Sequence, residues 1–191
     1  MTDEVTRWYR LSALLPEPEA TRVRDCWDTG EQEAGLDTLV SALLAHRVVI
    51  SENRLVEIAV LAQEWGMGGA LTARLLYCAA VGSDEENPPL RLIEHPDARP
   101  LPSPGSDHVL VPWIGCGRCG GVLARAHTVE PWGDLSFLPL HYTLMGPRPA
   151  PPRVFGAHSP WPALEALRTD CAPARMCTPS PAPAAEPRAG R

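Results

Sequence analysis

LDTLVSALLAHRVVISENRLVEIAVLAQEWG, residues 36–66, decides how the first half of this chain folds. Leu36, Leu39, Val40, Leu43 and Leu44 recur at i, i+3, i+4, i+7 and i+8, the template of an amphipathic helix. Ser51 is a good N-cap for a second helix, with Leu55, Ile58, Ala59, Ala62 and Trp65 on one face before Gly66. Val48 to Ile50 leave only a short link between the two.

The same periodicity extends outward in both directions. Upstream, Val5, Trp8, Leu11, Ser12 and Leu15 form a stripe that ends at Pro16 and Pro18. A further helix starts near Glu17, carries Ala20, Val23 and Trp27, and stops at Gly30. Downstream, Leu71, Leu75 and Cys78 predict a shorter helix from about Gly69 to Val81. Such stripes must pack on one another, so residues 1–81 read as a bundle of about five helices.

Prolines are sparse before Gly82 and dense after it, out of 22 in all. Residues 82–107 therefore read as a Pro-rich linker. Two β-branched runs follow, His108 to Ile114 and Val122 to His127, with GCGRCGG between them, which predicts a β-hairpin closed by a knuckle. Extended segments are expected near Leu135 to Met145 and Arg153 to Ala157. A short helix should begin at Pro160 and bury Trp161, Leu164 and Leu167. The predicted fold class is α+β, mostly α: the helical bundle, then a small hairpin and knuckle unit over 108–177 with one helix. The Pro- and Ala-rich residues 178–191 have the makeup of an unfolded tail.

The acidic N-terminus lacks the basic start of a secretory signal, and no apolar run reaches the roughly 18–20 residues of a membrane span. These features predict a cytoplasmic protein whose six Cys are reduced thiols or metal ligands rather than a disulfide framework. All 17 basic residues are Arg, a bias that suits a GC-rich bacterial coding sequence. Residues 1–81 hold 12 acids against 7 Arg, a net −5, whereas 82–191 hold 11 against 10, a net −1. Nucleic-acid binding needs clustered cations, so the helical half is better suited to a basic protein.

Cys116-Gly117-Arg118-Cys119-Gly120 is the compact chemical motif. A Cys-x-x-Cys turn followed by Gly brings two thiolates close enough for one tetrahedral ion, as in half of a zinc ribbon. Zinc is the candidate cofactor, with His127, His141, Cys171 and Cys177 available to complete the set. Two other readings stand beside it: a turn that holds no metal, and a redox dithiol. The redox reading fits least, because redox Cys-x-x-Cys pairs open a helix after a strand and this one joins two strands. No G-x-S-x-G elbow, H-E-x-x-H or Walker loop occurs, so no enzymatic activity is expected.

Asp25, Asp28, Glu31, Glu33 and Asp37 place five carboxylates within thirteen residues around one helix stop and the next start. Acids near a helix start also favour the dipole, so a solvated face and a docking surface for a basic partner are both open readings.

From Leu11 to Met67 the chain resembles the small helical immunity proteins paired with Maf-type polymorphic toxins. The similarity rests on the Leu15-Pro16 break, GEQEAGLDTL at Gly30 to Leu39, the Val48 to Ser51 link, and the closing Leu61-Ala62-x-x-Trp65-Gly66. Gln32 and the Gly35-Leu36-Asp37 step depart from the family pattern. The resemblance covers about a third of the chain and implies neutralisation of a toxin, often a nuclease, by tight protein–protein binding. Gly30, Glu31 and the neighbouring acids are the residues to which it extends.

Overall fold

The computed structural model of the chain describes residues 2–78, 89–93, 99–102, 107–146 and 151–171. Five helices come first: α1 (Thr2–Ser12), α2 (Glu19–Asp28), α3 (Gln32–Ala45), α4 (Glu52–Glu64) and α5 (Gly68–Leu75). Glu17 Oε2 accepts the Thr21 N–H at 3.0 Å and so caps the first turn of α2. At the start of α4, Ser51 Oγ accepts the Arg54 N–H at 3.3 Å. The end of the last predicted N-terminal helix (79–81), most of the linker, Cys177 and the tail lie outside the described residues.

α4 differs from its neighbours. Val56, Val60 and Leu61 are as completely buried as Ile58 and Ala62, so the middle of the helix is enclosed well beyond one face. It lies between the other helices and a sheet, packing on α5 and on strand β1 (Leu90–Leu92).

The second half corrects the expectation of a small hairpin and knuckle unit. β1 belongs to a six-stranded antiparallel sheet with β2 (Leu101–Pro102), β3 (His108–Cys116), β4 (Val122–Thr128), β5 (His141–Met145) and β6 (Arg153–Gly156). The strand order is β1-β3-β4-β5-β6, with β2 sharing the outer edge of β3. β1 pairs with residues 114–116 and β2 with residues 109 and 110. These two edge strands are too short and too Pro-flanked to show alternation, and an edge is where a sheet tolerates proline. Between β4 and β5 most of the predicted extended run is loop, fixed by a bridge between Val129 and Leu135.

The register sets the two sheet faces. Leu123 pairs with Leu144 and Arg125 with Tyr142, so these four share one face. Trp113, displaced by a bulge in β3, stacks on Tyr142 at 5.8 Å. The last helix, α6 (Pro160–Cys171), packs on β4, β5 and β6 and also reaches α4. Leu123, Tyr142 and Leu144 thus share one core with Trp161, Leu164 and Leu167 and with the helical residues.

α6 is fixed by charge as well. The Glu57 carboxylate, 6% exposed, accepts from Arg10 at 3.0 Å, Arg54 at 2.7 Å and Arg168 at 3.0 Å. Arg168 also meets the exposed Glu165 at 2.8 Å. Removing one partner of a buried ion pair leaves charge unmatched, at about 3–5 kcal/mol when all partners are buried. Because Arg10 and Arg54 are partly exposed, Glu57→Gln should cost about 2 kcal/mol in urea unfolding. Glu165→Gln should change stability by less than about 0.5 kcal/mol; equal effects from the two variants would deny the cluster its role.

Candidate metal centre

β3 ends at Cys116 and β4 begins at Val122, leaving a tight knuckle between them. The Cys116 N–H donates to Gly121 O and the Gly120 N–H to Cys116 O, both at 2.9 Å. Gly120 takes φ +69°, a left-handed conformation that a side chain would strain. The Gly121 N–H donates to Cys119 Sγ at 3.4 Å. A Cβ on Gly121 would stand 3.0 Å from Leu167 Cδ1, so the missing side chain lets α6 approach the turn. Gly117 N–H donates to Pro89 O at 2.8 Å and anchors the knuckle to the chain entering β1.

The third thiol arrives from α6. Trp161, Leu164, Leu167 and Cys171 lie at steps of three, three and four residues, one helical stripe, and all four are buried. Cys171, the last residue of the helix, therefore points where the apolar stripe points. Its Sγ stands 2.9 Å from Cys116 Sγ across 55 residues of sequence. The sulfurs of Cys116, Cys119 and Cys171 all lie within 4.8 Å of one another.

This donor set fits a thiophilic ion. Thiolates bind zinc at about 2.3 Å, which puts tetrahedral sulfurs about 3.8 Å apart. Closing on an ion requires Cys116 and Cys171 to separate by slightly under about 1 Å, within reach of small side-chain rotations. The thiols differ in acidity. Burial works to raise the Cys116 thiol, but hydrogen bonds from Cys171 and from the Cys119 and Arg118 backbone overcome it and hold the group low. Burial, with hydrogen bonds to Cys116 and Cys119, pushes Cys171 up to about 12. Of the two, Cys116 gives up its proton more readily than Cys171, and an arriving ion must displace the protons that remain.

The other candidate ligands lie elsewhere. His127 is five residues beyond Val122 along β4, about 16 Å at the rise of a strand. Its Nδ1 is 2.8 Å from Ser136 O, and burial lowers its pKa. His141 sits on β5 with its ring edge-on to His108 at 4.8 Å. Cys177 lies outside the described residues. Among them, Cys116, Cys119 and Cys171 form the metal-capable group.

Asp25, Asp28, Glu31, Glu33 and Asp37 are all exposed. Asp37 meets Arg74 at 2.5 Å; among the described residues, the other four have no ion pair. Gly30 to Ala34 and the half-buried Trp65 line a shallow depression of about 410 Å³ beside them. The carboxylate rim thus has an indole in its floor.

No helix among the described residues is long and apolar enough to cross a membrane. Comparison of the chain with protein-family models, curated proteins and solved structures finds no match, so geometry carries the functional reading.

If the thiols hold the ion, Cys171→Ser should weaken zinc retention in chelator competition on the order of tenfold or more. His127→Asn should retain zinc as tightly as the unaltered chain. Metal loss in His127→Asn, with Cys171→Ser unaffected, would relocate the site.

Proposed function

We propose that the chain is a non-catalytic binding protein whose sheet and last helix are joined by a structural zinc held by Cys116, Cys119 and Cys171. The observation that supports this is the convergence of three thiols from two elements far apart in sequence. Soft thiolate donors favour zinc over hard cations such as magnesium or calcium. Free thiols of this kind suit a reducing cytoplasm. Zinc here performs no reaction; it would stabilise the native arrangement of α6 on the knuckle.

Purified protein should contain close to one zinc per chain by elemental mass spectrometry, and the Cys116→Ser, Cys119→Ser variant should contain none. Chelation should lower the thermal midpoint by about 10 °C, as expected if the ion contributes about 3–4 kcal/mol. Metal-free protein with an unchanged midpoint would overturn the proposal.

A second reading concerns what the protein binds, and it is favoured by the exposure of all five rim carboxylates. We infer that this rim docks a basic protein partner, in the manner of an immunity protein that covers a cationic toxin site. Glu31 and Glu33 beside a half-buried tryptophan, with the exposed Asp25 and Asp28 near in sequence, offer long-range attraction and an apolar contact. If the adjacent gene encodes a basic protein, Asp28→Ser, Glu31→Ser and Glu33→Ser together should weaken its capture at least tenfold. The unfolding midpoint should stay unchanged, because none of the three is buried. Unchanged affinity would dismiss the rim as a docking surface.

A further inference from the structure

A second site lies between α4, α5 and the sheet, away from the thiols. Ala59, Leu76, Leu92, Val111 and Trp113 contribute apolar walls to a cavity of about 420 Å³, and among the described residues Arg125 is the one charged side chain that lines it. That volume falls in the range of small-molecule pockets.

The environment of Arg125 is unusual for a guanidinium. Nη1 donates to the amide oxygen of Gln63 at 3.1 Å, and the group lies 5.3 Å from the Trp113 ring centroid. Nε is buried with no acceptor. Among the described residues no carboxylate pairs with it, whereas the partly buried Arg24, Arg54, Arg74 and Arg168 each meet Asp or Glu. Burial works against the charge and pulls the Arg125 pKa down from its ordinary value. One neutral acceptor and one ring face replace little of the hydration lost, so among the described residues the cation has no counter-ion.

We propose that this cavity binds a small amphipathic monocarboxylate, its apolar body against Trp113 and Leu76 and its carboxylate on the Arg125 guanidinium. The planar fork of a guanidinium matches the two oxygens of a carboxylate. A single cation among apolar walls suits one negative charge attached to a hydrocarbon body, not a phosphate dianion. Ala73, exposed at the lining, stands at the entrance.

Octanoate and octan-1-ol are the probes, with binding read by intrinsic tryptophan fluorescence and calorimetry. Octanoate should bind saturably, at least tenfold more tightly than the alcohol of equal length. In Arg125→Gln the two should bind equally. If that variant fails to fold, Ala73→Trp, a change at an exposed position, should block octanoate while leaving the circular dichroism spectrum intact. Absence of saturable octanoate binding, equal affinities for acid and alcohol in the unaltered chain, or full octanoate binding by a folded Ala73→Trp would overturn the proposal. Zinc content should be identical in all these variants, which keeps this site separable from the thiols.

Discussion

The position of α6 is the constraint on which the second half depends, and Glu57 sets it. One buried carboxylate gathers guanidiniums from α1, α4 and α6, and an ion pair out of water tolerates little displacement. Arg168 is one turn from the end of α6. Once it is fixed, the stripe of Trp161, Leu164 and Leu167 lies in the sheet core and Cys171 reaches the knuckle. Cys116 and Cys119 are brought together by a local turn, but the third sulfur comes from a helix that must first dock on both layers. An ion at that site would therefore report on tertiary closure, not on the hairpin alone.

α4 supplies the polar fixings for this arrangement. Asn53 Oδ1 accepts the Leu90 N–H at 3.1 Å and sets β1. Glu57 takes Arg168, Gln63 takes Arg125 on β4, and Glu64 accepts the Trp161 indole N–H at 2.7 Å. Together these residues reach β1, β4 and both ends of α6. Apolar packing alone tolerates sliding along a helix axis; buried polar groups that need particular partners do not. Enclosure of α4 well beyond one face is what brings those partners within reach.

These relations explain which features were legible in the sequence. The stripe of Leu36, Leu39, Val40, Leu43 and Leu44 coincides with α3, because period 3.6 is a local property. The apparent stripe of α4 under-read it, since Val56 and Val60 fall off the expected face and are fully buried as well. β1 and β2 were hidden because two or three residues among prolines carry no period, and only their pairing with β3 defines them. The extent of the sheet was missed for the same reason. Cys171 stood in the sequence only among several candidate ligands, and its place at the end of the Trp161, Leu164, Leu167 stripe follows from α6 running that far, whereas His127 shares the knuckle's hairpin but lies at its far end. Arg125 gave no signal at all: a lone arginine in a strand is ordinary, and its lack of a carboxylate is a fact of three dimensions.

The same accounting bears on the acidic rim. Sequence alone assigns the first 81 residues a net −5 and crowds five of the acids into residues 25–37, but it does not say which acids the arginines meet. The structure distributes the arginines unevenly. Arg10 and Arg54 converge on Glu57, Arg24 meets Glu17, and Arg74 meets Asp37. In the second half, Arg153 meets Asp170, Arg168 meets Glu57 and Glu165, and Arg125 is enclosed. Cations committed to internal partners cannot neutralise distant acids, particularly beyond a screening length of about 8–10 Å. Asp25, Asp28, Glu31 and Glu33 are left to set the local potential of the α2–α3 junction. The pairings that hold the fold together thus concentrate negative charge at one place on its surface.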